Sequence, residues 1–264
     1  MTSDTHFAGS IPSVYEDCLV PILFDPFADD LVARALSLAP TKVLELAAGT
    51  GVVSFKLAAA LPNSRIVATD LNPGMLAVAS GRVRPSNLSF EPADAQSLPF
   101  ASGSFDLIVA QFGAMFFPDK IGAYREARRV LTSGGSLLFN VWDSLEANSG
   151  SEAIHQAVRR AVPEPKPDFI ARTPFGYNEP RQIEQELRAA GFDEVTIERV
   201  ERHSPCGSAV RLARGMCLGS PLANELAVHS PELCEHALGA AIAAAERAEA
   251  SAPLSMSALV IAAR

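Results

Sequence analysis

Short apolar runs alternate with helix-like segments between residues 40 and 142, and this alternation is the most regular pattern in the chain. Five runs read as buried strands: KVLELA (42–47), RIVATD (65–70), LSFEPAD (88–94), SFDLIVAQFG (104–113) and SLLFNVW (136–142). Helical patterns lie between them, from Gly51 to Leu61, from the Asn72-Pro73 start signal onwards, and from Asp119 to Leu131. Apolar strands joined by helices predict an α/β fold with a doubly wound, mainly parallel sheet covered on both faces.

The remainder of the chain is less regular. Residues 11–39 start as a proline-bounded segment and are predicted to become helical by Asp29. EPRQIEQELRAAGF (179–192) predicts a helix, and EVTIERVER (194–202) and LSMSALVIAAR (254–264) predict two more strands.

The length of 264 residues suits one domain, 1–264. Within it we expect a helical lid at residues 1–40. We also expect two cap insertions over the active site, at 144–178 and 204–252, because these stretches interrupt the alternation of strands and helices.

Composition and charge narrow the range of partners. The chain is 48% hydrophobic and 20% charged, as globular proteins are, and its net charge is −8. An acidic surface repels phosphate backbones, so we expect no nucleic acid partner. No apolar run reaches the roughly 18 residues of a membrane span, which argues against membrane insertion. The first twenty residues lack the pattern of a secretory signal.

The four cysteines are scattered and form no CxxC pair. We interpret them as reduced thiols of a cytoplasmic protein without a metal site. Nothing in the sequence decides the oligomeric state, so a homodimer is left open.

The stretch VLELAAGTG (43–51) ends the first predicted strand with small residues at Ala47, Gly49 and Gly51. Glycine admits positive φ and lets a ligand approach the backbone, and a loop that opens a helix presents N–H groups. Dinucleotides and S-adenosylmethionine are both bound in this way. The two-residue step favours the second, because a dinucleotide loop uses G-x-G-x-x-G.

Acids follow the next two predicted strands. Asp70 can accept hydrogen bonds from ribose hydroxyls, and Asp94 can accept one from an adenine amino group. In doubly wound folds ligands bind outside the carboxyl ends of the strands, so we expect the loops after Ala47, Asp70, Asp94 and Gln111 to carry function.

Motifs in this order resemble those of the class I S-adenosylmethionine-dependent methyltransferases. The glycine loop is similar to E/D-x-G-x-G-x-G, with Ala47 in place of the first glycine. DLNPGML (70–76) resembles D-x-S/N-x-x-M-L, DAQSLPF (94–100) resembles D-A-x-x-L-P-F, and SFDLIVAQFGAMFF (104–117) resembles the strand-four segment. RVLTSGG (129–135) resembles R-V-L-x-P-G-G, with Ser133 where proline is usual.

The resemblance implies a seven-stranded sheet with an antiparallel last strand, S-adenosylmethionine as the cofactor and S-adenosylhomocysteine as the product. It is nearest to the branch that acts on quinones, natural products and other small molecules. The cofactor contacts that it implies are Tyr15, Glu45, Ala47, Gly49, Thr50, Gly51, Asp70, Leu71, Met75, Asp94, Ala95, Gln111 and Phe112.

The reaction would be an in-line methyl transfer to a small apolar or aromatic molecule, in which positioning does most of the work. Phe116 and Trp142 are predicted to line the acceptor site. The catalytic base is unknown, with His155 and His203 as candidates. QFGA (111–114) stands where enzymes that methylate DNA bases carry N-P-P-Y, which disfavours DNA and protein substrates.

Two other functions stay open at this point. The first is a catalytically silent protein that binds S-adenosylmethionine. The second is a nicotinamide-dependent oxidoreductase, although the chain lacks the dinucleotide glycine step and a Tyr-x-x-x-Lys pair.

Overall fold

The computed structural model describes residues 3–264 and contains a seven-stranded sheet. The strands are β1 (Lys42–Glu45), β2 (Arg65–Asp70), β3 (Leu88–Pro92), β4 (Phe105–Gln111), β5 (Leu131–Trp142), β6 (Val195–His203) and β7 (Ser255–Ala263). Their order across the sheet is β3-β2-β1-β4-β5-β7-β6. All seven predicted strands are therefore confirmed.

Strands β1 to β5 pair in parallel. β7 runs antiparallel to β5, because the start of β7 bonds to Asp143 just past the end of β5, and Arg264 just past the end of β7 bonds to Ser136. Backbone hydrogen bonds join Glu194 to Arg264 at one end of the β6–β7 pair and Ser204 to Leu254 at the other, so these strands are antiparallel. The chain winds outward from β1 to β3 and then restarts at β4 on the other side of β1. The carboxyl ends of β1 and β4 therefore form the switch point, where doubly wound sheets bind their ligands.

Burial explains the apolar character of the parallel strands. Val43, Leu44, Ile66, Leu107 and Ile108 have no exposed surface, because helices cover both faces of the sheet. β5 begins at Leu131 and not at Ser136 as predicted. Its first residues stay extended past a bulge, since Phe105 pairs with Leu131 while Leu107 already pairs with Ser136.

The helices that separate the parallel strands are α3 (Val52–Ala60), α4 (Pro73–Ser80) and α5 (Lys120–Val130). The later helices are α6 (Ser149–Ala161), α7 (Phe169–Arg172), α8 (Pro180–Ala189), α9 (Ala209–Leu218), α10 (Leu222–Leu226) and α11 (Pro231–Ser251). Short 3₁₀ turns lie at Ser3–Thr5, Ala114–Phe116 and Leu145–Ala147. The predicted helices at 51–61, 119–131 and 179–192 are confirmed to within a few residues.

The N-terminal segment differs from the prediction that it becomes helical only by Asp29. It is helical from α1 (Ile11–Val14) through a π-helix (Tyr15–Phe24) into α2 (Asp25–Ser37). Pro12 lies in the first turn, where a backbone N–H is not needed, and Pro21 lies within the π-helix. Burial of apolar side chains between Leu19 and Phe24 stabilises this segment despite its prolines. Residues 1 and 2 of the predicted lid lie outside the described residues.

The chain folds into two compact units. The sheet unit comprises Phe27–Val141, Tyr177–Val200 and Ala258–Arg264, and the helical unit comprises the described part of Met1–Pro26 together with Trp142–Gly176 and Glu201–Ser257. The helical unit thus contains nearly all of the two predicted insertions and the first part of the predicted lid. Their role as caps over the active site stays a prediction.

The helical unit has its own core. α11 packs against α6 and α9, and α9 packs against the π-helix. Within residues 3–264, no helix is both long and apolar enough to cross a bilayer. The four cysteines are free thiols. No cluster of His, Cys, Asp and Glu in the described part of the chain could hold a metal ion.

Candidate functional site

The loop after β1 has an unusual backbone. Ala47, Gly49 and Gly51 all have positive φ, at 51°, 58° and 88°, with Gly51 as the N-cap of α3. Residues other than glycine rarely adopt this region, so Ala47 is held there by its surroundings. The alternating left-handed residues turn the chain sharply from the strand into the helix, whose first N–H groups have no partner within the helix.

Asp70, at the carboxyl end of β2, ties this loop to the next one. Its Oδ2 accepts a hydrogen bond from the Gly49 N–H at 2.8 Å, and its Oδ1 accepts one from the Asn72 N–H at 2.7 Å. Only 7% of its surface is exposed. Burial raises the pKa of Asp70 above its usual range, and the hydrogen bonds from Asn72 and Gly49 oppose this shift. The structure thus brings Asp70 into contact with the glycine loop, and its role in holding a ribose stays a prediction.

Glu45 is buried at the end of β1. Its carboxyl accepts a hydrogen bond from the Ser54 hydroxyl on α3, and its backbone carbonyl accepts one from Thr69 at 2.8 Å. Burial raises the pKa of Glu45 to about 8, with the Ser54 bond lowering it and the nearby Asp70 charge raising it. This carboxyl therefore fastens α3 to the sheet, and its predicted contact with a cofactor stays a prediction.

The small residues of the loop have neighbours within the chain itself. A Cβ on Gly51 would lie 3.2 Å from Phe55, 3.3 Å from Phe90 and 3.4 Å from Ala79. A Cβ on Gly113, after β4, would lie 2.5 Å from the Cβ of Ala47. Tight packing of α3 and of the β4 loop thus explains Gly51 and Gly113. The close approach that we attributed to a ligand at Gly51 is made at least in part by aromatic rings of the chain.

The end of β4 carries a second strained residue. Phe112 has a φ of 49° and packs edge-on against Phe27, with 5.4 Å between ring centroids. Its N–H is hydrogen-bonded to Asn140 on β5 through both the side-chain Oδ1 at 2.9 Å and the backbone carbonyl at 3.1 Å. Sequence reasoning missed Asn140. Its only signal is a polar residue inside the apolar run SLLFNVW.

The predicted adenine side has mixed character. Leu71 is 39% exposed directly after β2, whereas Met75 is buried and belongs to the core. Asp94 is half-buried after β3 and accepts a hydrogen bond from the Gln96 N–H at 2.8 Å, and Ala95 beside it is buried. Asp94 thus orders its own turn, while its predicted bond to an adenine amino group stays a prediction.

The remaining predicted residues divide between the two units. Phe116 lies half-buried in the sheet unit, while Tyr15, Trp142, His155 and His203 lie in the helical unit. His155 is buried on α6. This burial, together with the positive charge of Arg159, lowers the pKa of its imidazole. His203 is exposed at the end of β6. A catalytic role for either histidine stays a prediction.

Within the helical unit, rings that the sequence separates widely come together. Tyr15 stacks on Phe24 with centroids 4.9 Å apart, and Trp142 lies 6.2 Å from Phe24 and 5.8 Å from Phe175. We call Tyr15, Phe24, Trp142 and Phe175 the aromatic cluster. Two of its members, Tyr15 and Phe24, belong to the predicted lid, and a third, Trp142, is predicted to line the acceptor site.

Comparisons with known proteins agree with this geometry. A family model described as a methyltransferase domain matches residues 43–135. The demethylmenaquinone methyltransferase of Thermus thermophilus is 40% identical over 109 residues, which are 40% of this chain and 50% of that protein. The demethylmenaquinone methyltransferase of Deinococcus radiodurans is 29% identical over 171 residues, which are 61% of this chain and 71% of that protein. The chain therefore spans half the length of the first relative and about seven-tenths of the second.

Among solved structures, the YcgJ protein of Bacillus subtilis aligns with a TM-score of 0.56 at 17% identity, covering 89% of this chain and 97% of that one. This likeness confirms the fold. The glycine loop, Asp70 and the end of β4 all lie within residues 43–135, the segment that is similar to a methyltransferase domain.

Proposed function

We propose that this protein transfers a methyl group from S-adenosylmethionine to a small apolar or aromatic molecule. The observation that carries the proposal is the bond between Asp70 and Gly49, which joins the acid after β2 to the glycine loop after β1. A carboxylate held in this way can accept hydrogen bonds from the two hydroxyls of a ribose, next to backbone that a ligand can approach.

The buried polar groups around the loop fit the cofactor. The Thr50 hydroxyl is buried and has no hydrogen-bond partner among the described residues. Unpaired buried groups of this kind are uncommon and suit a polar ligand. We propose that Ala47–Gly51 and Asp70 hold the methionine and ribose parts, that Asp94 and Leu71 hold the adenine, and that Gln111 and Phe112 border the sulfur.

S-adenosylmethionine supplies a methyl group that is already activated on a sulfonium. The work of the chain is therefore to orient the two reactants and to exclude water. The buried side chains of Phe112 and Met115 place apolar groups directly after Gln111, the last residue of β4. His155, whose lowered pKa favours the neutral imidazole, is a candidate base for acceptors that must lose a proton.

The identity of the methyl acceptor is proposed from the relatives and from the helical unit. The first two relatives are named for demethylmenaquinone, but their alignments include 61% of this chain at most. We propose that the helical unit selects the acceptor, because its aromatic cluster would suit a planar ring. A cytoplasmic location, the lack of a nucleic acid partner and a homodimer stay predictions. The comparisons favour neither the silent binding protein nor the nicotinamide-dependent oxidoreductase.

Calorimetric titration with S-adenosylmethionine, S-adenosylhomocysteine and NADH tests the cofactor. We expect micromolar binding of the first two and none of NADH. Transfer of a labelled methyl group from S-adenosylmethionine to a panel of phenols, quinols and other small molecules then tests the activity. Binding of NADH alone would overturn the proposal, and binding without any turnover would favour the silent alternative.

The Asp70→Asn variant tests the site itself. We expect it to weaken S-adenosylhomocysteine binding by about 10- to 100-fold, because an amide cannot accept from the loop and the ribose as a carboxylate does. Asp106→Asn is the matched control. Asp106 accepts the Thr41 and Lys42 N–H groups at the amino end of the sheet, in the same unit. Equal losses of affinity in both variants would count against a ligand role for Asp70.

A further inference from the structure

Asn140 occupies a position where a polar side chain is unexpected. It pairs with Gln111 at the carboxyl ends of β5 and β4, and only 1% of its surface is exposed. Burying an amide is costly unless its donors and acceptors are bonded. The residue therefore needs a physical reason to stand in an apolar strand.

The orientation of the Asn140 amide follows from its bond to Phe112. Because a backbone N–H donates at 2.9 Å, the side-chain atom that faces it must be the oxygen. The NH₂ group then points elsewhere, and its nitrogen is buried without a partner in the described part of the chain. An unpaired buried donor is destabilising, so this arrangement is not explained by stability alone.

The oxygen side of the amide has a clear task. Phe112 is held at a φ of 49°, which is strained for an aromatic residue, and Asn140 accepts its N–H with two oxygens. On the far side of this turn, Gly113 packs against Ala47 of the glycine loop. Asn140 thus holds the turn after β4 in the conformation in which Gly113 contacts the glycine loop.

The strand order places Asn140 relative to the proposed cofactor site. Asp70 and the glycine loop follow β2 and β1, on one side of β4, and Asn140 lies on β5, on the other side. A cofactor held by the loop and Asp70 leaves the β4–β5 side for the second reactant. On that side Phe112 and Met115 are buried, and Gln111 on β4 is the polar side chain paired in register with Asn140.

We infer that Asn140 is both a positioning residue and a contact for the methyl acceptor: its Oδ1 holds the Phe112 turn, and its NH₂ donates a hydrogen bond to an oxygen of the acceptor. The inference rests on the proposed function and narrows it. The acceptor is an apolar or aromatic molecule that carries a hydroxyl, phenolate or carbonyl oxygen. An ammonium group, which can only donate, is disfavoured because it would face another donor.

Nuclear magnetic resonance of ¹⁵N-labelled full-length protein observes this NH₂ group directly. Its signal is the side-chain signal that Asn140→Asp lacks. The protein is saturated with S-adenosylhomocysteine and titrated with phenol, or with toluene as the matched hydrocarbon. We expect phenol to shift the NH₂ protons downfield and to slow their exchange with water, and toluene to leave them in place.

Binding of acetophenone, whose carbonyl oxygen accepts hydrogen bonds and which has no donor, separates the two sides of the amide in variants. Asn140→Asp keeps an acceptor for the Phe112 N–H and, once ionised, cannot donate. We expect about 3- to 10-fold weaker acetophenone binding at about pH 8.5, a smaller loss at about pH 6 where a protonated carboxyl could donate, and S-adenosylhomocysteine affinity within about twofold. Asn140→Leu, which loses both sides, should weaken both ligands. Asn87→Asp, a change of an amide that is bonded to three carbonyls in the same unit, is the control.

Three results would overturn the inference. The NH₂ signal could ignore phenol, it could respond equally to toluene, or it could respond fully to S-adenosylhomocysteine alone, which would assign the donor to the cofactor. Absence of any S-adenosylhomocysteine binding would instead refute the proposed function, and the response of the NH₂ signal to phenol would still be measurable.

Discussion

At the scale of single residues, Ala47 and Gly113 show how one substitution in a motif is matched elsewhere. The chain carries a methyl group at the first small position of the glycine loop, and the space for that methyl is left by Gly113 on the loop after β4. The two residues fit together sterically, since a Cβ on Gly113 would lie only 2.5 Å from the Cβ of Ala47. The pair therefore sets the spacing between two loops of the proposed cofactor site.

The Gly113→Ala variant should push these loops apart. We expect it to destabilise the protein by about 1–3 kcal/mol, as overpacking does, and to weaken S-adenosylhomocysteine binding. Adding Ala47→Gly in the same chain removes the clash, so the double variant should recover most of both losses. Urea unfolding and calorimetry measure the two effects. A double variant no better than Gly113→Ala would show that the two residues are not coupled.

Glu45 makes stability depend on pH. The folded state keeps the Glu45 proton up to about pH 8, whereas the ordinary pKa of a Glu side chain is 4.5. Between these values the folded state holds more protons than the unfolded chain. The contribution of Glu45 is therefore full below the lower value, declines by up to about 1.4 kcal/mol per pH unit, and is lost above the higher one.

The Glu45→Gln variant removes this titration and can still accept from Ser54. The free energy of unfolding of the wild-type protein, minus that of the variant, should fall as pH rises from about 4.5 to about 8. Urea titrations across that range measure the difference. A difference that stays constant with pH would mean that Glu45 is ionised in the folded protein.

At the scale of elements, α5 begins where the sequence predicts, because Asp119 supplies a chemical start signal. Its side chain accepts a hydrogen bond from the Gly122 N–H at 2.8 Å. The N-terminal helices carry no comparable signal. Their prolines suggested an irregular segment, and burial of apolar residues around the π-helix decided otherwise. Local chemistry predicted the first element, and tertiary packing formed the second.

Replacing the cap of α5 should have a measurable cost. Asp119→Ala should lower the free energy of unfolding by about 1 kcal/mol, within the usual range for a lost N-cap. Glu179→Ala is the control, since Glu179 is the N-cap of α8 in the same unit and makes no side-chain cap bond. Urea unfolding compares the two. Equal losses would show that the hydrogen bond to Gly122 contributes little.

At the scale of the whole molecule, the motifs that resemble those of methyltransferases lie in the sheet unit, and the helical unit is assembled from three separate stretches of the chain. We propose that the first unit binds the cofactor and the second selects the acceptor. We expect this division to be visible in function. Trp142→Leu should reduce methyl transfer to an acceptor found by the panel, chiefly through a higher KM, because it removes a ring of the aromatic cluster.

The same variant should bind S-adenosylhomocysteine with wild-type affinity. Phe100→Leu is its control, since it removes one ring of the Phe100–Phe105 pair in the sheet unit, where centroids are 5.1 Å apart. A loss of S-adenosylhomocysteine affinity in Trp142→Leu, with the acceptor KM unchanged, would contradict the proposal that the helical unit selects the acceptor.

The sequence by itself determined the strand and helix pattern of residues 42–142, the glycine loop and the acids after β2 and β3, because periodicity, caps and motif spacing are local properties. Only the tertiary structure determined which residues from different parts of the sequence are in contact. The pairing of Ala47 with Gly113, the two-sided bond from Phe112 to Asn140 and the aromatic cluster all join residues that lie far apart in sequence. No local pattern predicts such contacts, since they arise only when strand order and packing within each unit bring together residues that are distant in sequence.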